Sequence, residues 1–200
     1  EVAAPPLDPT YWGELAQGTR RVVLVLLDAL GYVQLAEMLR RHPDCLWGRL
    51  ARRGMLLPMT SVLPSTTATG LATLLTGTEP IVHGLLGYTL WLREYGVLAE
   101  MLSLVPLYGS GKESLVDWGL VPGRFLPVPG LGAILATQNV ETTAVVPARY
   151  TRSPLTRMCY RGFDRVLGYT NLTGMWALAR HSLGRDPAER TLYLLYWGAI

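Results

Sequence analysis

Asp28, the hydroxyl cluster Ser65-Thr66-Thr67 and His83 are the side chains whose types and spacing suit chemistry. Asp28 follows directly on an unbroken apolar run, residues 22–27. A carboxylate at the end of such a run is costly to bury unless it is paired or holds a cation. Hard and borderline divalent ions take carboxylate oxygen, so one reading of Asp28 is a metal ligand. The plainer reading is a helix cap before Ala29 or a solvated loop charge.

Ser65, Thr66 and Thr67 stand before an apolar helical stretch. Their oxygens suit helix capping, because Ser and Thr accept bonds from otherwise unpaired amides. The same helix end also suits an anion, since free N–H groups and the positive end of the helix dipole favour phosphate. A threonine placed there attacks a phosphorus or sulfur centre once a metal lowers its hydroxyl pKa. Both readings stay open on these residues alone. His83, within Pro80-Ile81-Val82-His83-Gly84, reads as a hydrogen-bonded turn residue in preference to a ligand. Tyr88, Trp91 and Tyr95 have the character to line a pocket for a base or aryl group, or simply to pack. The working expectation is that Asp28 and Thr67 meet at one edge of a buried sheet.

The surrounding segments have to place those two oxygens. Residues 22–27 carry β-branched side chains without alternation and end near a turn signal at Gly31, which predicts a strand buried on both faces, as in a parallel sheet. Residues 32–41 predict a helix stopped by Pro43, and residues 45–53 another, ended by Gly54. Residues 55–62 read as a second strand, irregular at Pro58. Residues 67–75 read as a helix with Leu71, Ala72, Leu74 and Leu75 inward and Gly77 as its stop. Residues 97–102 read as a short helix, 131–138 as a helix, and 142–146 and 164–169 as strands. An amphipathic helix is expected over 172–183, a helical turn over 187–190 and a buried strand over 191–197. Residues 1–18, rich in Pro and Gly, read as a lead-in arm, and residues 106–132 as a surface excursion or lid. Alternating strands and helices predict an α/β fold with a mostly parallel sheet layered between helices.

Half of the 200 residues are apolar and 16% are charged, which describes a packed globular chain of about one domain. The net charge of +3 is small, the seventeen arginines are scattered, and Lys112 is the single lysine. Nucleic acid is therefore not the expected partner. The longest strongly apolar run is six residues, against about 20 for a bilayer span, so no transmembrane segment is expected. Cys45 and Cys159 sit outside any CxxC or Cys/His cluster and read as two buried thiols, with a single disulfide as the alternative. The sequence starts at Glu1 and stops just after the strand over 191–197, where an open sheet places functional loops. Residue 200 is thus expected not to be the natural end, and the compartment stays open.

Three motifs together resemble the alkaline phosphatase superfamily, and within it the type I phosphodiesterase and nucleotide pyrophosphatase branch. Residues 22–32 resemble that family's first strand, which ends on a metal-binding aspartate. Pro64-Ser65-Thr66-Thr67 with Thr76-Gly77 resembles its nucleophile segment. Glu79-Pro80-Ile81-Val82-His83-Gly84 resembles the Pro-x-x-His-Gly that follows. The rest of the chain agrees more loosely; a segment like residues 196–200 leads, in the family, into a further metal-binding aspartate.

The resemblance implies an alkaline-phosphatase-like fold of which residues 1–200 form the amino-terminal part. It implies a metal-dependent hydrolase of phosphate esters with two divalent cations, zinc in the family. By the same resemblance Thr67 is the nucleophile that forms a covalent phospho-enzyme and is also a metal ligand. Asp28 binds the same metal, and Thr66 and Gly70 face the substrate, a small phosphate ester or nucleotide. Two departures qualify this. Gly70 stands where nucleotide pyrophosphatases usually carry an asparagine that donates to a phosphate oxygen; backbone amides or Thr66 are the expected substitutes. The family's other aspartate and histidine ligands are absent, so residues 1–200 alone are expected to turn over little. No Cys/Ser-x-Pro-Ser-Arg motif occurs, which argues against a sulfatase. The alternatives are a sister phosphomonoesterase or phosphonate hydrolase, a non-catalytic anion-binding α/β module, and a partner-binding structural domain.

Overall fold

The computed structural model describes residues 5, 7–108, 114–186 and 188–198. The chain runs through α1 (Pro9–Ala16), β1 (Arg21–Leu27), α2 (Tyr32–Arg41), α3 (Leu46–Arg53), α4 (Thr67–Thr76) and α5 (Pro80–His83). It continues through β2 (Thr89–Leu92), β3 (Val97–Glu100), β4 (Val105–Pro106), α6 (Leu131–Ala136) and β5 (Glu141–Pro147), and ends with α7 (Pro154–Cys159), β6 (Arg165–Tyr169), α8 (Leu172–Arg185) and β7 (Thr191–Trp197). β1, β7, β5 and β6 form, in that order, one four-stranded sheet. All its pairings are parallel. β2, β3 and β4 form a small antiparallel sheet apart from it. The α/β class with a parallel main sheet is as expected.

The layers follow from the period of two along a strand. Ala144, Val146, Leu194 and Tyr196 point to one face and meet Ala68, Leu71, Ala72 and Leu75 of α4 and Leu155 and Met158 of α7. Val145, Tyr193 and Leu195 point to the other face and meet Met175 and Ala179 of α8. β7 lies between β1 and β5, and its Tyr193, Leu194 and Leu195 are fully buried. Truncating a leucine of this kind to alanine costs about 2–5 kcal/mol.

β1 departs from its expected burial. It is the edge strand, and Val22 and Val23 remain about half exposed. An apolar run without alternation marks a parallel strand, but it does not say whether neighbours lie on both sides. Residues 55–62 form no strand. Pro58 has no amide to donate, and Met55, Leu56 and Met59 stay exposed. Residues 97–100 pair as a strand, not a helix: Gly96, at φ 62°, closes a hairpin that sets Val97 opposite Leu92. A run this short cannot be told apart by period alone.

Within the expected lead-in arm, residues 9–16 are helical. Pro9 opens α1 and Asp8 caps it, its Oδ1 accepting from the Thr10 amide at 2.9 Å. Residues 1–4 and 6 of that arm lie outside the described residues. In the stretch 106–132, Leu115, Leu120 and Leu126 are buried in the main core, while residues 109–113 lie outside the described residues. Residues 188–190 are not helical, and Pro187 lies outside the described residues. α4 and its stop agree with expectation: Gly77 caps it at φ 66°. Leu74, expected inward, is exposed. The two cysteines form no disulfide; Cys159 is buried, and Cys45 is only half-buried, at the start of α3. Among the described residues no helix is long and apolar enough to cross a membrane.

Candidate functional site

Asp28 leaves β1 at its carboxyl end. Its amide donates to the Trp197 carbonyl at 2.9 Å, so the parallel pairing of β1 with β7 extends one residue and fixes the Asp28 backbone. Ala29 then takes φ 68° and turns the chain sharply away. A residue with a Cβ pays about 1–2 kcal/mol for that conformation. The strain lies directly beside Asp28.

α4 begins at Thr67, against the same edge of the sheet. Thr66 is its N-cap, with Oγ1 accepting from the Thr69 amide at 3.3 Å. Thr66 Oγ1 also lies 2.9 Å from Thr69 Oγ1. The Gly70 amide donates to the Thr66 carbonyl at 2.8 Å, so it is committed to the helix and cannot serve a phosphate. What Gly70 contributes is space, since a Cβ built there meets nothing within 4 Å. The amides of Thr67 and Ala68 have no acceptor among the described residues, as expected of a first helical turn.

The two expected residues do come together. Thr67 Oγ1 donates to Asp28 Oδ2 at 3.3 Å, across 39 positions of sequence. A third residue joins them that sequence reading did not single out. The Tyr196 hydroxyl donates to the same Asp28 Oδ2 at 2.7 Å. Tyr196 is next to last in β7 and is paired with Leu26 of β1. Burial raises its pKa above the ordinary tyrosine value, and the bonded Asp28 carboxylate raises it further. It therefore stays protonated and acts as a donor. Only its place near the carboxyl end of a buried strand hinted at this; that β7 neighbours β1 is a long-range fact.

Asp28 and Thr67 lie between two clefts. One, of about 340 Å³, is walled by Leu71, Leu102 and Leu155 together with the hydroxyl-bearing Ser103, Tyr150, Ser153, Thr156 and Tyr160. The other, of about 690 Å³, is rich in hydroxyls, with Thr60, Ser61, Ser65 and Thr66 beside Gly70. Neither cleft is lined by an arginine or lysine among the described residues. Tyr88 and Trp91 line neither cleft; they are exposed, and Tyr95 borders a separate shallow groove with Arg124 and Phe125.

His83 is fully buried and takes the expected structural part. Its Nδ1 accepts from the Leu85 amide at 3.1 Å, and Nε2 lies 2.9 Å from Thr73 Oγ1. An accepting Nδ1 places the proton of the neutral ring on Nε2, which donates to Thr73. Both ring nitrogens are occupied, so His83 is not placed to bind a cation.

Asp28 and Thr67 offer hard oxygens close enough to share one divalent cation, and they suit part of its shell. No group of three or more His, Cys, Asp or Glu that could hold a metal occurs among the described residues.

Residues 22–103 match the family model for type I phosphodiesterase / nucleotide pyrophosphatase, which bears out the resemblance. The matched stretch contains both Asp28 and Thr67. Among solved structures, the chain is similar to phosphonoacetate hydrolase from Sinorhizobium meliloti 1021 in complex with phosphonoacetate, with TM-score 0.60, 18% identity, and 88% of this chain and 46% of that one covered. It is also similar to murine ectonucleotide pyrophosphatase/phosphodiesterase 5, with TM-score 0.60, 15% identity, and 88% and 43% covered. An inactive threonine-to-alanine variant of that murine protein, in complex with AMP, gives TM-score 0.61, 14% identity, and 90% and 43% covered. At these identities the likeness shows the fold. The chain spans a little under half the length of these structures. No curated protein matches it.

Proposed function

We propose that the full-length protein is a metal-dependent hydrolase of phosphate esters, acting on a small phosphodiester or nucleotide with Thr67 as nucleophile. The observation that carries this is the 3.3 Å contact between Thr67 Oγ1 and Asp28 Oδ2 at the carboxyl edge of a parallel sheet. Ligand groups of open α/β sheets gather at such an edge. The family match over residues 22–103 supports the class of reaction. The inactive threonine variant of the murine relative supports a threonine in this role.

In this reading Thr67 Oγ1 forms a bond to phosphorus as the bond from phosphorus to the departing ester oxygen breaks. The hydroxyl proton passes to Asp28 Oδ2, to which it already donates, and from there through solvent to the departing oxygen. Water then displaces Thr67 from phosphorus, and a proton returns to Oγ1. The unpaired amides of Thr67 and Ala68 face the developing charge with the positive end of the α4 dipole behind them. Thr66 holds this helix end in place, and Gly70 leaves room for a phosphoryl substituent in the hydroxyl-lined cleft. Asp28 and Thr67 would hold one of two divalent cations, zinc in the family resembled, whose charge would lower the pKa of the attacking hydroxyl and offset that of the phosphoryl group. With no arginine or lysine along either cleft among the described residues, amides and cations would meet that charge. Residues 1–200 alone, offering Asp28 and Thr67 as donors among the described residues, are expected to turn over poorly.

The test is Thr67→Ala in the full-length protein, assayed on an aryl phosphodiester with the fold checked by circular dichroism. Turnover is expected to fall by about 10³-fold or more with the spectrum unchanged. Undiminished turnover would remove Thr67 from the role. Calorimetry with inorganic phosphate separates the enzyme from an anion-binding module: binding that a chelator abolishes supports the enzyme, and binding indifferent to chelator supports the module.

A further inference from the structure

We propose that Tyr196 is a positioning residue that fixes the Asp28 carboxylate and so decides which of its oxygens is offered to a cation. This rests on the functional reading above. Asp28 Oδ2 accepts two hydrogen bonds, from Tyr196 at 2.7 Å and from Thr67 at 3.3 Å. Asp28 Oδ1 has no hydrogen-bond partner among the described residues. The carboxylate is held by one oxygen and presents the other.

Tyr196 is itself firmly placed. Its ring is buried in the main core, and its carbonyl accepts the Tyr169 hydroxyl at 2.7 Å. Tyr169 stacks on the neighbouring Trp197 at 5.7 Å between ring centres. Gly198 gives the ring room to lie where it does: a Cβ there would come within 2.7 Å of the Tyr196 hydroxyl oxygen and 3.0 Å of its ring. A series of contacts therefore runs from Tyr169 through the Tyr196 backbone and ring to Asp28 and on to Thr67. Groups that orient a metal-binding side chain from behind typically change metal affinity 10- to 100-fold when removed. Asp28 has a free side-chain torsion and only partial burial, so without Tyr196 it would sample orientations that part it from Thr67.

The test is Tyr196→Phe in the full-length protein, which keeps the ring and removes the hydroxyl. Zinc affinity is read by competition with a chromophoric chelator, beside Asp28→Asn as a control. The expected result is an affinity about tenfold weaker for Tyr196→Phe, a similar melting temperature, and turnover restored by excess zinc. A purely packing role would not be rescued by metal. Gly198→Ala, which displaces the ring but keeps the hydroxyl, is expected to weaken zinc in the same direction, and it serves if Tyr196→Phe folds poorly. Zinc affinity unchanged in both variants, but lost in Asp28→Asn, overturns the positioning role and leaves the proposed function standing. Affinity unchanged in Asp28→Asn as well overturns the metal site and the inference together.

Discussion

Thr73 and His83 are joined by a 2.9 Å hydrogen bond between Oγ1 and Nε2 that ties the middle of α4 to the last residue of α5. Thr73 is half-buried and the imidazole fully buried. It makes α4 and α5 one unit, so the helix that begins at Thr67 is braced along its length by a histidine whose ring nitrogens are both hydrogen-bonded.

That histidine predicts a pH dependence. Burial pulls the His83 pKa below its ordinary value, and Nδ1 must stay unprotonated to accept from Leu85. The unfolded chain then binds a proton that the folded chain resists. Stability from this group is complete above the unfolded value of about 6.5 and is lost as pH falls from there towards the lower folded value. Urea midpoints at pH 7.5 and 5.5 should show a decline in the native protein. His83→Gln should be less stable at pH 7.5 yet decline less between the two. An equal decline in both proteins would mean that His83 does not titrate in this way.

Thr66 should matter for stability. It caps α4 through the Thr69 amide. Thr66→Ala is expected to cost about 1 kcal/mol, and Thr66→Ser much less. In a domain of this size that is a fall of about 2–4 °C in melting temperature, readable by calorimetry. If the alanine variant melts with the native protein, the cap contributes nothing.

Gly70 offers a gain. It lies in the first turns of α4, and a Cβ added there meets open space. Gly70→Ala should stabilise by about 0.4–1 kcal/mol, because alanine loses less backbone entropy in a helix. Gly70→Asn places its Cβ in the same open space and restores the donor that the resembled nucleotide pyrophosphatases carry. In the full-length protein it should raise kcat/KM for a nucleotide phosphodiester severalfold; a fall would show that substrate needs the space itself.

The cysteines should differ in reactivity. Burial pushes the Cys159 thiol up to about 12, whereas Cys45 is half-buried at the start of α3. Ellman's reagent should label Cys45 in the native protein and Cys159 only after unfolding. Rapid native labelling of Cys159 would contradict the burial that shapes this face of the core.

What the sequence determined by itself was local. Residues 22–27 announced a parallel strand because β-branched side chains without polar alternation suit little else. Thr66, Gly77 and the apolar positions between them announced α4 because caps and helical period act within a few residues. The spacing of the family motifs sets Asp28 and Thr67 together at one sheet edge. Tertiary structure alone decided the rest. Val22 and Val23 are exposed, with β1 at a sheet edge and β7 its one strand neighbour among the described residues, and no residue within β1 encodes that. Residues 97–100 became a strand because Gly96 turned them onto β2, a pairing partner that outweighed helical propensity. Tyr196 reached Asp28 only because β7 packs beside β1, 168 positions away in the chain. Contacts of that range depend on how several buried surfaces fit at once, and a one-dimensional pattern carries no record of that fit.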